Sequence, residues 1–470
     1  MKLLTPDTLF TRLDSALPLL TGGARDAPER QRTLEATIAW SYELLDDASK
    51  RLFARLSVFA GTFPLGAAED VCDADLDVLS ALVDSSLLKP IGDDRFLLLE
   101  TIREYAADRL FESGEADDLR RRHAVAFATL AEEGYERRFE AEAEWSDRLE
   151  QDHDDLRAAL DWLGERDSAA ELRLAGALGW FWLSHSHFVE GRRRLTRVLA
   201  QPGVDSRLRA RTLTAAGVLA AWLGDVDDSR VELEEALDHW RDLGDEAELA
   251  SALDALGWVL VYGTAENERA LDTFEKCLEL RQSLGDRPGE TRALVGICQV
   301  LVALGEVERA EALSRELLEL ADGDPRAEHF AFHFLADCAL IEGDCELAEE
   351  RYRDSLRAAL PLGDVIETSF EVQGVAMAAA GRGDPARAAR LAAAVEALWE
   401  SLGTKISVPF WDALLVQYIG AARDRLGADA DGIWAEGRAL LFNDAVSSLS
   451  APTSLGQLGC SAKTRTSTGG

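Results

Sequence analysis

The sequence predicts a mainly α protein in which a short module with one hairpin precedes a long array of stacked helix pairs. Three observations predict it: a glycine turn recurs through most of the chain, a second glycine signal alternates with it, and residues 29–112 stand outside that rhythm.

The first signal is the turn inside each pair. Leu223-Gly224-Asp225, Tyr262-Gly263-Thr264, Leu304-Gly305-Glu306, Glu342-Gly343-Asp344 and Arg382-Gly383-Asp384 follow one another at 38 to 42 residues. Five positions after the glycine stands a small residue: Ser229, Ala310, Ala348 and Ala388, with Ala270 after a slightly longer turn. Gly191 holds that place in an earlier unit, where Ser186 replaces the turn glycine. A small side chain there lets two helices cross closely. The second signal ends each pair, at Leu243-Gly244-Asp245, Leu284-Gly285-Asp286, Asp322-Gly323-Asp324, Leu362-Gly363-Asp364 and Leu402-Gly403-Thr404. Glycine there supplies a left-handed C-cap, and the acidic or hydroxyl residue after it caps the next helix. Six units span about 168–404, Arg120 to Glu165 caps the array, and a helical segment from Val408 to Val446 closes it.

The units resemble tetratricopeptide repeats. Leu256-Gly257, Ala270 and Phe274 in one unit, and Ala348 and Tyr352 in another, match the small and aromatic positions of that motif. The period near 40 exceeds the usual ~34 and implies helices longer by about a turn.

Residues 29–112 read as three or four short helices, a hairpin and a helix. Thr33 to Leu45 is amphipathic, Asp47 to Phe59 and Asp77 to Leu87 follow, and Leu87 to Ile91 and Arg95 to Leu99 flank the turn Gly92-Asp93-Asp94. Helices followed by a β-wing make a winged-helix-like domain. The runs Arg32–Leu45, Phe53–Phe63 and Phe96–Ala106 resemble the winged-helix segment of bacterial NB-ARC or STAND-type signal-transduction ATPases, a group that includes LuxR- and SARP-like regulators and cyclase-associated ATPases. In that family a P-loop ATPase domain precedes the winged helix and tetratricopeptide-like repeats follow it. The resemblance implies that residues 1–28 are a remnant of the linker from an ATPase domain missing here, that 29–112 form the winged helix and that 120–446 form the repeat array, with capping helices. The chain then corresponds to the C-terminal portion of such a regulator. Residues 447–470, rich in Ser, Thr and Gly, read as a disordered tail.

No GxxxxGK[ST] occurs in the sequence, so the backbone cradle and lysine that would hold a β,γ-phosphate are lacking. Where relatives carry a Met-His-Asp-like motif, whose histidine faces nucleotide, this chain has Leu98-Leu99-Glu100.

Composition narrows the partners. A net charge of −36, with six lysines against 44 arginines, opposes phosphate backbones and anionic lipid. The helix that would enter a major groove, Asp75 to Ser86, contains Asp75, Asp77 and Asp84 and no basic residue; residues 29–112 hold nine Lys or Arg against 17 Asp or Glu. Apolar runs stop short of the ~18 to 20 residues of a membrane span, and no secretory leader opens the chain, so a cytoplasmic protein is expected. Cysteines 72, 277, 298, 338, 345 and 460 are scattered and read as reduced thiols.

Four groups carry candidate chemistry. His329 and His333 at i and i+4, with Asp337 a turn on, have metal-ligand spacing, and His185 and His187 form a second pair; both read as core or groove histidines without a further ligand. Arg192-Arg193-Arg194 and Arg120-Arg121-Arg122 read as ion-pair partners of neighbouring carboxylates, with a phosphate or acidic-peptide site as the alternative. Trp180, Trp182, Trp222, Trp240 and Trp258 read as filler between helices, with a place along a ligand groove as the alternative for some of them. No catalytic, cofactor-binding or metal-binding residue is assigned, and no enzyme activity or cofactor is expected. The expectation is a binding scaffold, the regulatory portion of a STAND-type ATPase or transcriptional regulator, whose repeat groove takes a protein, a peptide or a small effector. The alternative is a nucleotide-dependent regulator that binds DNA directly.

Overall fold

A computed structural model describes residues 34–138, 141–201, 205–264, 266–402 and 408–450. The stretch 1–28 read as a linker remnant, Gly403-Thr404, Cys460 and most of the expected tail lie outside the described residues. The protein is mainly α, with a winged-helix-like start followed by tetratricopeptide-like helix pairs, and it divides into two compact units, Met1–Leu243 and Gly244–Gly470.

In the first unit, α1 (Leu34–Glu43) and α2 (Asp47–Leu56) lead to β1 (Thr62–Pro64), α3 (Leu65–Cys72), α4 (Leu76–Asp84), β2 (Lys89–Ile91), β3 (Arg95–Leu97) and α5 (Glu100–Ser113). The hairpin forms as expected, with Ile91 opposite Arg95 and Pro90 opposite Phe96. Sequence reading missed β1, which pairs antiparallel with β3 on its other edge, Phe63 opposite Phe96, and makes a three-stranded sheet in the order β1-β3-β2. Three residues with one buried side chain show no period-2 pattern, and the partner strand lies some thirty residues away. Helix α3 is the fourth short helix that the sequence allowed without placing.

Five further helices continue the chain: α6 (Ala116–Arg137), α7 (Glu142–Gln151), α8 (His153–Gly164), α9 (Ser168–Ala177) and α10 (Gly179–Ser184). The unit ends with α11 (Phe188–Leu199), α12 (Ser206–Trp222) and α13 (Val226–Leu243). One apolar core runs from Ile38 to Leu219, so the winged-helix module and the first helix pairs share it. The fully buried Asp155 of α8 fastens the two: its Oδ1 accepts from the Ala60 backbone N–H at 2.7 Å and lies 2.8 Å from His123 Nε2.

The second unit comprises α14 (Glu246–Val259), α15 (Asn267–Leu284), α16 (Arg287–Leu304), α17 (Val307–Ala321), α18 (Pro325–Glu342), α19 (Cys345–Ala359), α20 (Val365–Gly381), α21 (Pro385–Ser401), α22 (Pro409–Leu415), α23 (Ala421–Leu426), α24 (Ala430–Arg438) and α25 (Phe442–Ser450).

Both sequence signals recur as geometry. Gly224, Gly305, Gly343 and Gly383 take left-handed φ near +73° to +87°, and Ser186 does the same at +59°. The helix-ending glycines 244, 285, 323 and 363 are left-handed too. Asp245, Asp286, Asp324 and Asp364 then cap the next helix through their side chains, each cap worth about 1 kcal/mol. Gly191 and the small residues 229, 270, 310, 348 and 388 are all buried. Tyr262-Gly263-Thr264 departs from the pattern: the chain winds through a π-helix, Leu260–Thr264, in place of a left-handed turn. A π-turn accommodates one extra residue in a helix, and this turn is the longer one.

The tryptophans divide. Trp182 and Trp240 are core, Trp180 and Trp258 are half-buried, and Trp222 is 66% exposed, its ring stacked on Phe188 at 5.6 Å, so the reading of Trp222 as filler is corrected. Trp222 is the last residue of α12, where the helix face has turned to solvent. Trp182→Ala is expected to cost about 3–5 kcal/mol and Trp222→Ser under about 1.5 kcal/mol, by urea denaturation; equal losses would contradict this division.

Candidate functional site

Helix α20 is apolar apart from a few residues, and two of the exceptions, Glu371 and Gln373, lie in its buried stretch. Burying a carboxylate is costly unless it is paired. Glu371 is fully buried, and its Oε1 lies 2.7 Å from His333 Nδ1. Helix α18 supplies that histidine and, one turn either side, His329 and Asp337; all three are buried.

These side chains make a polar network under an aromatic roof. His329 Nδ1 is 2.8 Å from Ser355 Oγ, and the Tyr352 hydroxyl donates to Asp337 Oδ1 at 2.6 Å. His333 Nε2 stands 3.5 Å from Asp337 Oδ2, and its ring stacks on Trp411 at 5.4 Å. The Trp411 indole donates to Gln373 Oε1 at 2.8 Å. Burial opposes the charged form of His333, but Asp337 and Glu371 outweigh it and push the pKa up to about 10. Burial raises Asp337 to about 6, with His333 and Tyr352 pulling the other way. At neutral pH, then, an imidazolium sits between two buried carboxyl groups.

Three atoms of the network, Asp337 Oδ2, Glu371 Oε2 and His329 Nε2, have no hydrogen-bond partner, although Asp337 Oδ2 faces His333 and His329 Nε2 faces Glu367, each at 3.5 Å. Each such buried group costs about 1–3 kcal/mol if nothing binds it. Two of the three are carboxylate acceptors.

Tyr262, in the π-turn that follows α14, is 48% exposed; burial raises its phenol pKa and the Glu367 carboxylate of α20 adds to the shift. Glu367 also stands 3.5 Å from His329 Nε2, which joins it to the network. Burial raises the Glu367 pKa, but His329, His333 and Arg326 reverse the shift and hold it below the usual carboxylate value.

The structure redistributes the residues that sequence singled out. His329 and His333 both face Glu371 Oε1, at 3.8 and 2.7 Å, but only His333 hydrogen-bonds it, while His329 Nδ1 lies 2.8 Å from Ser355 Oγ; their rings are 6.2 Å apart. Glu371 and Glu367 were missed, although charged residues inside the most apolar helix of the array were a visible signal. His185 and His187 flank the left-handed Ser186 in the first unit, and His187 Nε2 is 2.8 Å from Glu150 Oε2. Arg192 pairs with Glu232, Arg194 with Asp161 and Glu190, Arg121 with Asp118, and Arg122 with Asp73, as expected. The five described cysteines are free thiols. No helix among the described residues is long and apolar enough to cross a membrane.

The chain is similar to several known proteins. The tetratricopeptide repeat family profile matches residues 208–283. A Mycobacterium tuberculosis protein named as an HTH-type transcriptional regulator is 32% identical over 397 residues, which cover 77% of this chain and 43% of the relative. Regulatory protein AfsR of Streptomyces griseus is 25% identical over 343 residues, 64% of this chain and 35% of the relative. The chain spans less than half the length of these curated relatives. Among solved structures, a Signal Transduction ATPase with Numerous Domains (STAND) protein with a tetratricopeptide repeat sensor, from Pyrococcus horikoshii, superposes with a TM-score of 0.53 at 15% identity. It covers 96% of this chain and 72% of that one, a likeness of fold.

Proposed function

We propose that this chain is a non-catalytic regulatory scaffold of the cytoplasm, and that its second unit binds a small effector rich in hydrogen-bond donors, an amine before all others. The observation that carries the reading is the pair of buried acceptors without a hydrogen-bond partner, Asp337 Oδ2 and Glu371 Oε2, in a network that Glu367 joins at His329. A ligand that donates to them supplies the hydrogen bonds they lack. The regulator names of the longer relatives support the setting, in which effector binding biases a larger protein between two states. His333 is no general base in this reading, because its proton is held by two carboxyl groups. DNA is not a direct partner: the chain is strongly acidic, and α4 carries two aspartates and no basic residue.

Thermal unfolding with a panel of primary amines, polyols and neutral sugars tests it. A binding amine should raise stability by about 2.7 kcal/mol at a concentration 100 times its Kd, and Glu371→Gln should remove at least ~10-fold in affinity, since hydrogen bonds to a charged group contribute roughly 1.5–3 kcal/mol. No stabilisation by any member, or equal affinity in the variant, would count against the reading. A salt-sensitive gel shift with duplex DNA would favour the DNA-binding alternative.

A further inference from the structure

The first unit holds an independent cluster. Three of the seven histidines in the chain converge on a single carboxylate oxygen, Glu150 Oε2 of α7: His187 Nε2 at 2.8 Å, His153 Nδ1 at 3.6 Å and His185 Nδ1 at 3.9 Å. The four residues come from three places: Glu150 from the end of α7, His153 from the first position of α8, and His185 and His187 from the turn between α10 and α11. Ser186 makes the convergence local. Its left-handed φ of +59° lets His185 and His187, two residues apart, address the same oxygen.

We propose that Glu150, His153 and His187, with His185 as a fourth group, bind a divalent transition-metal ion of the zinc type. Ligand atoms of Glu150, His153 and His187 lie within 4.8 Å of one another. Around tetrahedral zinc, with bonds of about 2.0–2.1 Å, ligand atoms stand roughly 3.3 Å apart. The distances from Glu150 Oε2 to the three imidazole nitrogens, 2.8, 3.6 and 3.9 Å, bracket that value.

The surroundings fit a metal better than a plain hydrogen-bonded pair. His153 is 5% exposed, and its Nε2 has no hydrogen-bond partner. That nitrogen faces Glu190 Oε2 at 3.7 Å, so with a metal on Nδ1 its N–H would point at a carboxylate, the outer arrangement that orients metal-binding histidines. Asp147 Oδ1 stands 3.8 Å from His185 Nε2 in the same relation. Glu190 is itself fixed by hydrogen bonds donated by Arg157 and Arg194. Imidazole ligands with one carboxylate suit zinc, cobalt, nickel or copper over magnesium or calcium. The ion would pin α7 and α8 to the first helix pair. None of this rests on the effector reading, which concerns the other unit.

The test uses the full chain stripped of metal and titrated with Zn2+ by calorimetry, and with Co2+ by visible absorption. One Zn2+ per chain, a four-coordinate Co2+ spectrum and a rise in thermal stability are expected. His187→Gln and Glu150→Gln, both on partly exposed side chains and checked by circular dichroism, should each weaken binding by at least ~10–100-fold. Absence of binding at micromolar Zn2+, or binding unchanged in both variants, overturns the proposal. Binding lost instead on His329→Gln and His333→Gln places the ion in the other unit and overturns it equally.

Discussion

His333→Leu is expected to destabilise the protein by about 3–5 kcal/mol, because it leaves buried carboxylates without their cation. The ring is held by Glu371 Oε1 at 2.7 Å and Asp337 Oδ2 at 3.5 Å and lies flat against Trp411. Leucine fills part of the space and supplies no charge. The pH dependence is the sharper readout. The folded-state pKa of His333 is raised from 6.5 to about 10: burial lowers it, and Asp337, Glu371 and Glu367 more than reverse that. A group with a raised folded pKa contributes stability that is fully present below its unfolded pKa and is lost as pH rises through the folded one. The His333 contribution therefore fades between about pH 6.5 and 10. Asp337, raised by burial to about 6, follows the same rule lower down, its contribution fading between about pH 4 and 6. Urea denaturation from pH 5 to 10 should show the upper decline in the native protein and not in His333→Leu. A variant that retains the decline would locate its source elsewhere. The other groups that face the ring are His329 on its own helix, Glu367 and Glu371 on α20, and Tyr352 on α19, so Glu371→Gln should shift the upper decline toward lower pH.

Phe274 is expected to show the largest packing effect in the second unit. Its ring is fully buried and meets Trp258 edge-on at 5.3 Å. Two glycines close on it from neighbouring first helices: a Cβ on Gly257 of α14, or on Gly296 of α16, would stand 2.5 Å from the ring. The aromatic residue and the two glycines are therefore one packing decision. Phe274→Ala should cost about 3–5 kcal/mol. Gly296→Val should cost about 1–3 kcal/mol through overpacking. Because the groups touch, the two losses should not add. Gly296→Ala should be milder in a Phe274→Leu background than in the native one, with a coupling of roughly 0.5–3 kcal/mol in the double-mutant cycle. Strict additivity would mean that the ring does not set the spacing of α14, α15 and α16.

Much of the array was legible in the residues because its signals are local. A left-handed turn selects glycine wherever it occurs, an aspartate after it caps whatever helix follows, and a close helix crossing excludes bulk at one position of every unit. The left-handed φ at Gly224, Gly305, Gly343 and Gly383, the caps at Asp245, Asp286, Asp324 and Asp364, and the burial of Ala310, Ala348 and Ala388 are each decided within a few residues of the signal.

The candidate sites depend on distance across the fold. Metal-ligand spacing singled out His329 and His333, yet α19 and α20 gave each a separate hydrogen-bond partner, Ser355 and Glu371, 26 and 38 residues further along the chain. His185 and His187 stood out as a pair, while Glu150 and His153, which complete their cluster, sit on the capping helices some 35 residues earlier. Periodicity reports which face of a helix is apolar, and that sufficed for the fold. The partner of a buried charge is set by how successive helices stack, so the carboxylate–histidine network and the Glu150 cluster were decided by tertiary structure alone.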